Sequence, residues 1–312
     1  MMKEMAVFSG TSNPELAKKI VDYLNIPLGE VEISRFSEGE IFVRVKQDVR
    51  GRDVFLVQST CPPVNENLME LLIMMDAFLR ASAARLTVVL PYYGYARQDR
   101  KDQPRVPISA KLVANLITAA GADRVLTMDL HADQIQGFFD IPLDHLFSAP
   151  VFIRYLKSLK LDNMVIVTPD VGGIKRARAF ATRLGADLAI VDKRRVNSVD
   201  AEVLHLIGDV RGKTAIIVDD MIATAGSLAE AAKIVDENGA SQIYATGAHA
   251  ILSGPATERI QKTRLRELVV TDSVPLGGKA LDHKIRVLTV AELLGEAIRR
   301  IHENESVSSL FI

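Results

Sequence analysis

The sequence predicts an α/β protein made of two tandem, duplicated domains, each a mainly parallel sheet flanked by helices. Short runs rich in Val, Ile and Leu alternate with amphipathic segments along the whole chain. Apolar runs of this length, separated by segments with helical periodicity, are typical of buried parallel strands with crossover helices. The second observation is length, because 312 residues exceed the usual size of one domain and suffice for two. The third is an internal repeat of a strand and its following helix.

The repeat consists of a tetrapeptide, a strand and a helix that occur once in each half. Asp-Val-Arg-Gly precedes the predicted strand 53–57 and recurs before the predicted strand 214–218, an offset of 161 residues (209 − 48). The helix after each strand has apolar residues at the i, i+3, i+4, i+7 spacing of a helix that faces a sheet. These residues are Leu68, Leu71, Leu72 and Met75 in the first half and Leu228, Ala231, Ala232 and Val235 in the second. Further predicted strands are 87–90, 164–167, 187–191 and 242–246. The repeat predicts domains at 1–148 and 149–312.

Composition and charge disfavour several classes of function. Nearly half of the residues (48%) are hydrophobic, the formal net charge is −1, and Cys61 is the only cysteine. A near-zero net charge gives no global basic field for nucleic acid or a membrane surface, so any bound anion must be held by local clusters. A single cysteine cannot form an intrachain disulfide, which fits a reducing compartment. The first residues lack a long apolar signal region and no segment approaches a membrane span, so we expect a cytoplasmic protein.

The segment 219–227 in the second half carries the strongest chemical pattern. Asp219 and Asp220 follow a predicted strand, and a loop of small residues then opens the next helix. Backbone N–H groups and hydroxyls at a helix N-terminus bind phosphate, and adjacent carboxylates accept hydrogen bonds from vicinal sugar hydroxyls. The alternative is a capped helix beside solvated acids. The first half has Gln-Ser-Thr-Cys-Pro-Pro at the equivalent 58–63, so the pattern predicts a sugar-phosphate site in the second half alone.

Four other polar segments follow predicted strands, and each has an ordinary structural alternative. The loop 95–105 has three arginines and one lysine next to tyrosines, which suits a nucleotide but also suits a solvated surface. His131, near Asp129, is by its position more often a structural residue than a metal ligand. The glycines in 169–173 permit close backbone approach or positive φ around a diphosphate, or form a tight turn. The three cations at 193–195 have the pattern of an exposed loop.

Several of these segments resemble the motifs of one enzyme family. Residues 219–227 resemble the phosphoribosyl-diphosphate motif of the phosphoribosyltransferase fold. Residues 91–101 (Pro-Tyr-Tyr-Gly-Tyr-Ala-Arg-Gln-Asp-Arg-Lys), 129–132 (Asp-Leu-His-Ala) and 169–173 (Pro-Asp-Val-Gly-Gly) are similar to signatures of ribose-phosphate pyrophosphokinases. The likeness covers practically the whole chain, and plain phosphoribosyltransferases lack the first two of these signatures. It implies that both halves have a phosphoribosyltransferase-like fold, with ATP bound mainly by the first half and ribose 5-phosphate by the second.

The resemblance implies binding residues for ATP and for a metal ion. The implied ATP-binding residues are Phe36, Glu38, Gly39, Glu40, Arg97 and Gln98. The first four would belong to the adenine pocket of a neighbouring subunit. His131 and Asp170 would be direct or water-mediated ligands of Mg²⁺, the one cofactor implied. Histidine is an unusual partner for a hard cation that prefers oxygen, so spacing alone does not suggest this pair.

The resemblance also implies catalytic and sugar-binding residues. Lys193 and Arg195 occupy functional positions of the family's mobile catalytic loop, where preplaced cations would stabilise the charge that develops during transfer. The implied ribose 5-phosphate-binding residues are Asp219, Asp220, Ala223, Thr224, Ala225, Gly226 and Ser227. Ala223 departs from the family, since most members carry aspartate there. This departure leaves open a non-catalytic, regulatory homologue.

The implied reaction moves a diphosphate from ATP to the C1 hydroxyl of ribose 5-phosphate and releases AMP. The resemblance is to the phosphate-activated, ADP-inhibited branch of the family, which is often hexameric, and the ending 306–311 matches that branch's tail. We therefore expect ATP and ribose 5-phosphate as substrates, phosphate and ADP as regulators, and a homo-oligomer as the assembly. The alternatives are the regulatory homologue, a nucleobase phosphoribosyltransferase and a nucleic-acid binder, and the near-zero net charge disfavours the last.

Overall fold

The chain folds into two compact units in a computed structural model that describes residues 4–195, 202–278 and 283–311. The first unit comprises residues 1–147, 273–275 and 289–312, and the second comprises 148–272 and 276–288. The sequence predicted the domain boundary between residues 148 and 149. In the structure the chain first passes from the first unit to the second between 147 and 148, one residue earlier. The sequence prediction assigned all of 149–312 to the second domain, whereas residues 273–275 and 289–312 belong to the first unit.

The first unit is built on a five-stranded sheet in the order β1-β4-β5-β6-β7. All four pairings are parallel, so the carboxyl ends of these strands lie at one edge of the sheet. A separate antiparallel hairpin, β2–β3, was not predicted. The strands are β1 (Met5–Ser9), β2 (Val31–Arg35), β3 (Ile41–Val45), β4 (Asp53–Val57), β5 (Arg85–Leu90), β6 (Arg124–Met128) and β7 (Leu143–Leu146). The helices are α1 (Pro14–Leu24), α2 (Val64–Arg80), α3 (Ser109–Ala119) and the C-terminal α8 (Ala291–Glu303).

The second unit is built on a seven-stranded sheet in the order β10-β9-β8-β11-β12-β13-β14. Every pairing is parallel except that between β9 and β10. The strands are β8 (Met164–Thr168), β9 (Asp187–Arg195), β10 (Glu202–Ile207), β11 (Thr214–Ile222), β12 (Gln242–Ala250), β13 (Glu267–Thr271) and β14 (Ile285–Leu288). The helices are α4 (Ala149–Ser158), α5 (Ile174–Leu184), α6 (Gly226–Glu237) and α7 (Ala256–Lys262).

The predicted repeat corresponds to β4–α2 in the first unit and β11–α6 in the second. In α6 all four residues of the predicted apolar stripe are buried, and in α2 all except the half-buried Leu72 are buried. These stripes pack in the hydrophobic cores of their own units. The α/β class and the parallel sheets flanked by helices are therefore confirmed. No helix in the described part of the chain is long and apolar enough to cross a membrane.

Candidate active site

The acidic pair of the second unit lies within a central strand rather than in the loop after it. β11 was predicted to end at 218 but continues to Ile222, so both Asp219 and Asp220 are strand residues. β12 pairs alongside them, with Asp219 opposite Gly247. On its other side β11 pairs in parallel with β8. The segments that follow β8 and β11 therefore lie side by side at the carboxyl edge of the sheet, which is where α/β proteins place ligands.

The two carboxylates are mostly buried and share one cation. The side chains of Asp219 and Asp220 are 19% and 6% exposed. The Arg176 Nη1 atom lies 3.3 Å from Asp220 Oδ1 and 3.8 Å from Asp219 Oδ1. Burial, followed by the charge of Asp220, raises the pKa of the Asp219 carboxyl well above its usual range, and Arg176 acts in the opposite direction. Sequence reasoning missed Arg176, although its position shortly after the glycines of 169–173 was visible.

The loop 223–227 presents the start of a helix without a side-chain cap. α6 begins at Gly226, and the residue before it, Ala225, has a left-handed backbone with φ 56°. No side chain of the described protein caps this helix, so its first N–H groups are placed to bind an anion. Thr224 and Ser227 are exposed, which leaves two hydroxyls at the loop surface. The loop is fixed from behind, because Arg259 Nη1 donates to the Thr224 carbonyl (3.0 Å) and the Ser253 N–H donates to the Ala223 carbonyl (2.9 Å).

The segment 169–173 after β8 is a tight turn in which glycine is needed for close packing. Asp170 accepts a hydrogen bond from the Gly173 N–H at its Oδ1 atom (3.0 Å), and its carbonyl accepts one from the Thr168 hydroxyl (2.8 Å). A Cβ on Gly173 would lie 2.3 Å from the Thr168 hydroxyl oxygen. Positive φ, the other role suggested for these glycines, is not used, since neither has it. The turn leads directly into α5, which carries Arg176.

The equivalent segment of the first unit, 58–63, is occupied by contacts within the protein. The Gln58 side chain accepts from the Ser12 hydroxyl (2.7 Å) and donates to the Glu70 carboxylate (2.8 Å). The Ser59 hydroxyl donates to the carbonyl of Ser273 (2.6 Å). Gln58, Ser59 and Glu70 are buried. The structure thus places an acidic pair and an uncapped helix start together only in the second of the two repeated segments.

The residues assigned to an adenine pocket form the turn of the β2–β3 hairpin. The Phe36 N–H donates to the Glu40 carbonyl (2.9 Å), and Gly39 occupies the turn with φ 97°. Phe36 is 50% exposed and its ring contacts Phe42 at 5.6 Å between centroids. Backbone and then Ser37 hydrogen bonds lower the pKa of the Glu38 carboxyl. An exposed aromatic residue beside carboxylates is available to a ligand outside this unit.

The loop that carries Arg97 and Gln98 is tied to the segment after His131. Arg97 and Gln98 are exposed, and the Gln98 carbonyl accepts from the Ala110 N–H (3.1 Å) at the start of α3. The next residue, Asp99, accepts a hydrogen bond from Gln134 Nε2 (2.7 Å). Gln134 is three residues beyond His131. The fold therefore brings the sequence-predicted ATP loop and the histidine segment together within the first unit.

His131 itself is exposed and follows a turn that a second histidine holds. The buried His145 accepts a hydrogen bond at Nε2 from the Leu130 N–H (2.9 Å). The preceding residue, Asp129, has a positive φ of 43°, and its N–H donates to the Leu146 carbonyl (2.9 Å). An acceptor Nε2 requires the ring to carry its proton on Nδ1. Sequence reasoning did not single out His145, because its contact spans 15 residues.

Lys193 and Arg195 lie at the end of a strand rather than in a loop. β9 was predicted to end at 191, but it continues to Arg195 as an antiparallel hairpin with β10. In this register Lys193 lies opposite Leu204 and Arg195 opposite Glu202. Their side chains, and residues 196–201 that follow them, lie outside the residues that the structure describes. Their catalytic role stays a prediction.

The described residues also define what kind of metal site is possible. In the described ranges no group of three or more His, Cys, Asp or Glu side chains could hold a metal ion. Mg²⁺ is usually bound through one or two carboxylates, with substrate phosphates and water completing its shell. The carboxylate of Asp170 and the exposed ring of His131 fit such a site as donors, and neither belongs to a closed protein cage.

Comparison with known proteins identifies the family. Residues 5–121 match the family model of the N-terminal domain of ribose phosphate pyrophosphokinase, and 194–312 match that of the phosphoribosyl synthetase-associated domain. The chain is 56% identical to a ribose-phosphate pyrophosphokinase of Caldanaerobacter subterraneus (98% of each chain covered) and 54% identical to one of Wolinella succinogenes (100% of each). The crystal structure of phosphoribosylpyrophosphate synthetase from Mycobacterium smegmatis superposes with a TM-score of 0.92 at 42% identity, covering 97% of this chain and all of the other. The chain belongs to the ribose-phosphate pyrophosphokinase family.

Proposed function

We propose that this protein transfers a diphosphate from ATP to the C1 hydroxyl of ribose 5-phosphate, giving 5-phosphoribosyl 1-diphosphate and AMP. The observation that carries this function is the combination of Asp219 and Asp220 with the uncapped start of α6. Carboxylates accept hydrogen bonds from sugar hydroxyls, and a helix start binds phosphate. The protein is thus equipped for a sugar phosphate in its second unit, and full-length relatives at more than 50% identity carry the name of this activity.

Ribose 5-phosphate binds with its phosphate at the loop 223–227 and its vicinal hydroxyls at the acidic pair. The backbone N–H groups of this loop and the hydroxyls of Thr224 and Ser227 hold the phosphate oxygens. ATP binds mainly through the first unit, where Arg97 and Gln98 contact it. This arrangement leaves the C1 hydroxyl as the nucleophile.

In the transfer step the C1 oxygen attacks the β-phosphorus of ATP in line with the leaving group. A new C1–O–P bond forms, the bond between the β-phosphorus and the α,β-bridging oxygen breaks, and that oxygen leaves with AMP. The hydroxyl proton passes to solvent, and we assign it no protein base. Little covalent work falls to the protein, so positioning and charge neutralisation supply most of the catalysis. Lys193 and Arg195 supply positive charge to the transferred group.

Mg²⁺ is the metal that this reaction uses, with His131 and Asp170 as its direct or water-mediated protein ligands. When bound, the ion would neutralise charge on the oxygens of ATP. The oxygen chemistry of Asp170 supports this assignment, and the exposed position of His131 is compatible with it. Both residues lie in segments that follow strands. A hydrogen bond to Asp170 itself fixes one segment, and a hydrogen bond from Leu130 to His145 fixes the other.

The exposed hairpin turn 36–40 completes the ATP site of a neighbouring subunit in a homo-oligomer, for which we propose a hexamer. Support comes from Phe36, an aromatic side chain exposed at the hairpin turn. Phosphate and ADP act as regulators, and the cytoplasm is the compartment, as the resemblance to the phosphate-activated branch implies. Each of these assignments depends on the family rather than on a contact in the structure.

The experiment that tests the function measures AMP produced from ATP by the purified protein. AMP must appear only when both ribose 5-phosphate and Mg²⁺ are present, and one phosphoribosyl diphosphate must form for each AMP. Supplying phosphoribosyl diphosphate and a nucleobase instead tests the transferase alternative, which would release diphosphate. If no AMP forms and diphosphate is released from the second mixture, the result would contradict our assignment and support a nucleobase phosphoribosyltransferase.

A further inference from the structure

Arg176 occupies a position that the stability of its own helix does not explain. It is the third residue of α5, whose first turn contains no acidic residue. The N-terminus of a helix carries a partial positive charge, so a cation there is electrostatically unfavourable. Lys175 precedes it in the same turn, which adds to the effect. A favourable contact elsewhere must therefore hold the Arg176 guanidinium in place.

That contact is the acidic pair of β11. Arg176 approaches Asp220 at 3.3 Å and Asp219 at 3.8 Å, in both cases at the Oδ1 atom and with the same Nη1 nitrogen. Its side chain is 26% exposed, so water screens these contacts only in part. The Asp220 N–H also donates to Asp219 Oδ1 at 2.9 Å, which fixes the two carboxylates relative to one another. One guanidinium against two carboxylates leaves the cluster with acceptor capacity for a ligand.

The same guanidinium also lies above the turn after β8. A Cβ added to Gly173 would lie 3.9 Å from Arg176 Nη1, so the glycine backbone and the guanidinium are neighbours. Arg176 therefore links the glycine turn 169–173 to the acidic pair. We propose that Arg176 is a positioning residue for sugar recognition, which fixes the Asp219 and Asp220 carboxylates in one arrangement and neutralises part of their charge while no sugar is bound.

This role rests on the proposed function, because it assumes that Asp219 and Asp220 bind ribose 5-phosphate. Without Arg176 the negative charges of the two buried, adjacent carboxylates are less neutralised. The two side chains then move apart, or one of them takes up a proton. Either change removes acceptors for the sugar hydroxyls. ATP should be affected much less, since its proposed contacts lie in the first unit.

The test compares Arg176→Gln with Arg178→Gln, a matched change two residues along the same helix at an exposed position. Binding of ribose 5-phosphate is measured by calorimetry, and the KM for each substrate is measured in the AMP assay. We expect Arg176→Gln to weaken the binding of ribose 5-phosphate about 10- to 100-fold, which is the range for loss of a charged hydrogen bond. The KM for ATP should change less than about twofold. Arg178→Gln should match the natural protein.

Two further measurements separate positioning from a general structural role. Arg176→Lys should recover part of the affinity, because it keeps the charge but not the planar fork. Added guanidinium at low concentration should restore ribose 5-phosphate binding to Arg176→Ala, while the same concentration of sodium chloride should not. Equal losses for ATP and ribose 5-phosphate, or normal binding in Arg176→Gln, would overturn the proposal. A natural protein that makes no AMP would instead contradict the proposed function, so the two failures are distinguishable.

Discussion

At the scale of single residues, the candidate site depends on charged side chains that are partly buried in the folded protein. The buried carboxylates of Asp219 and Asp220 are stabilised by the positive charge of Arg176 and by a hydrogen bond from a backbone N–H. The acidic pair and the small residues that follow it are recognisable in the sequence, because they lie in one segment of nine residues, 219–227. Arg176 and His145 were not predicted, because their contacts join segments that are distant in the sequence.

The raised pKa of Asp219 predicts opposite effects of pH on ligand binding and stability. The ionised carboxylate is needed to accept from the sugar, so affinity for ribose 5-phosphate should fall as pH decreases through this raised pKa rather than through the ordinary aspartate range near about 3.9. The folded state holds the Asp219 proton more tightly than the unfolded chain, so the contribution of this group to stability falls as pH rises towards the folded pKa.

Asp219→Asn separates the two effects. We expect it to raise the melting temperature by a few degrees at pH values above the raised pKa, where the natural carboxylate is ionised and buried, and to weaken the binding of ribose 5-phosphate. The difference in melting temperature should shrink as pH falls and the natural side chain becomes neutral. Calorimetric melting and ligand titration across pH measure both. A stability difference that grows at low pH would contradict the assigned direction.

Ala223 stands where the resemblance to the family implies an aspartate, and we predict that this alanine does not abolish activity. The structure shows the Ala223 carbonyl held by Ser253, and a phosphate needs only the backbone N–H at this position. A carboxylate next to a dianionic phosphate is electrostatically unfavourable, so its absence should alter the affinity for ribose 5-phosphate only moderately. AMP formation by the natural chain and by Ala223→Asp, at saturating ATP and Mg²⁺, tests this. A silent natural chain and an active aspartate variant would favour a regulatory homologue.

At the scale of secondary-structure elements, strands continue beyond the ends that the sequence predicted. β11 includes Asp219 and Asp220, although aspartate is unfavourable in strands, because β12 pairs along it to the end. β9 includes the three cations 193–195 because β10 pairs with it. Both extensions depend on pairing partners that lie elsewhere in the sequence. Apolar content identifies the buried centre of a strand correctly, but a polar end looks like a loop.

The β9–β10 hairpin should carry the residue most important for turnover. We predict that Lys193→Ala lowers kcat by roughly two powers of ten or more, a loss of about 3–4 kcal/mol, as for a donor used mainly in the transition state. Substrate binding should change less. Steady-state kinetics with each substrate varied in turn provide the measurement. Near-normal kcat with a raised KM for ATP would mean that Lys193 only binds the ground state.

The two repeated segments after β4 and β11 should respond differently to the sugar phosphate. Residues 58–61 are buried and the side chains of Gln58 and Ser59 are bonded within the protein, whereas 219–227 combines two carboxylates with the uncapped start of α6. Ribose 5-phosphate should therefore slow hydrogen exchange in 219–227 and leave 58–63 unchanged, and Asp220→Asn should weaken ribose 5-phosphate more than ATP because a carboxylate accepts stronger hydrogen bonds. Equal protection of both segments would indicate a second sugar-phosphate site.

At the scale of the whole molecule, the two units are not contiguous halves of the chain. α8 comes last in the sequence but packs in the first unit, where a Cβ on Gly295 would lie 2.5 Å from the Tyr23 ring of α1. At the end of α8, His302 Nδ1 lies 2.8 Å from the buried Asp53 carboxylate, and the Ile301 carbonyl accepts from Arg85 (3.0 Å). The repeat predicted two domains, but it contains no information on where a helix after the last strand packs.

This arrangement predicts which unit fails when the end of the chain is removed. Deleting 289–312 exposes the surface that packs against Leu294, Ile298 and Ile301, three fully or nearly fully buried side chains of α8. At about 1.5–3 kcal/mol for each, the loss is comparable to the whole stability of a typical domain. Hydrogen exchange should therefore accelerate in the strands β1, β4 and β5, while the sheet of the second unit keeps its protection. Deleting only 306–312 retains α8 and should leave both sheets protected, and faster exchange confined to the second unit after the longer deletion would contradict this division of the chain.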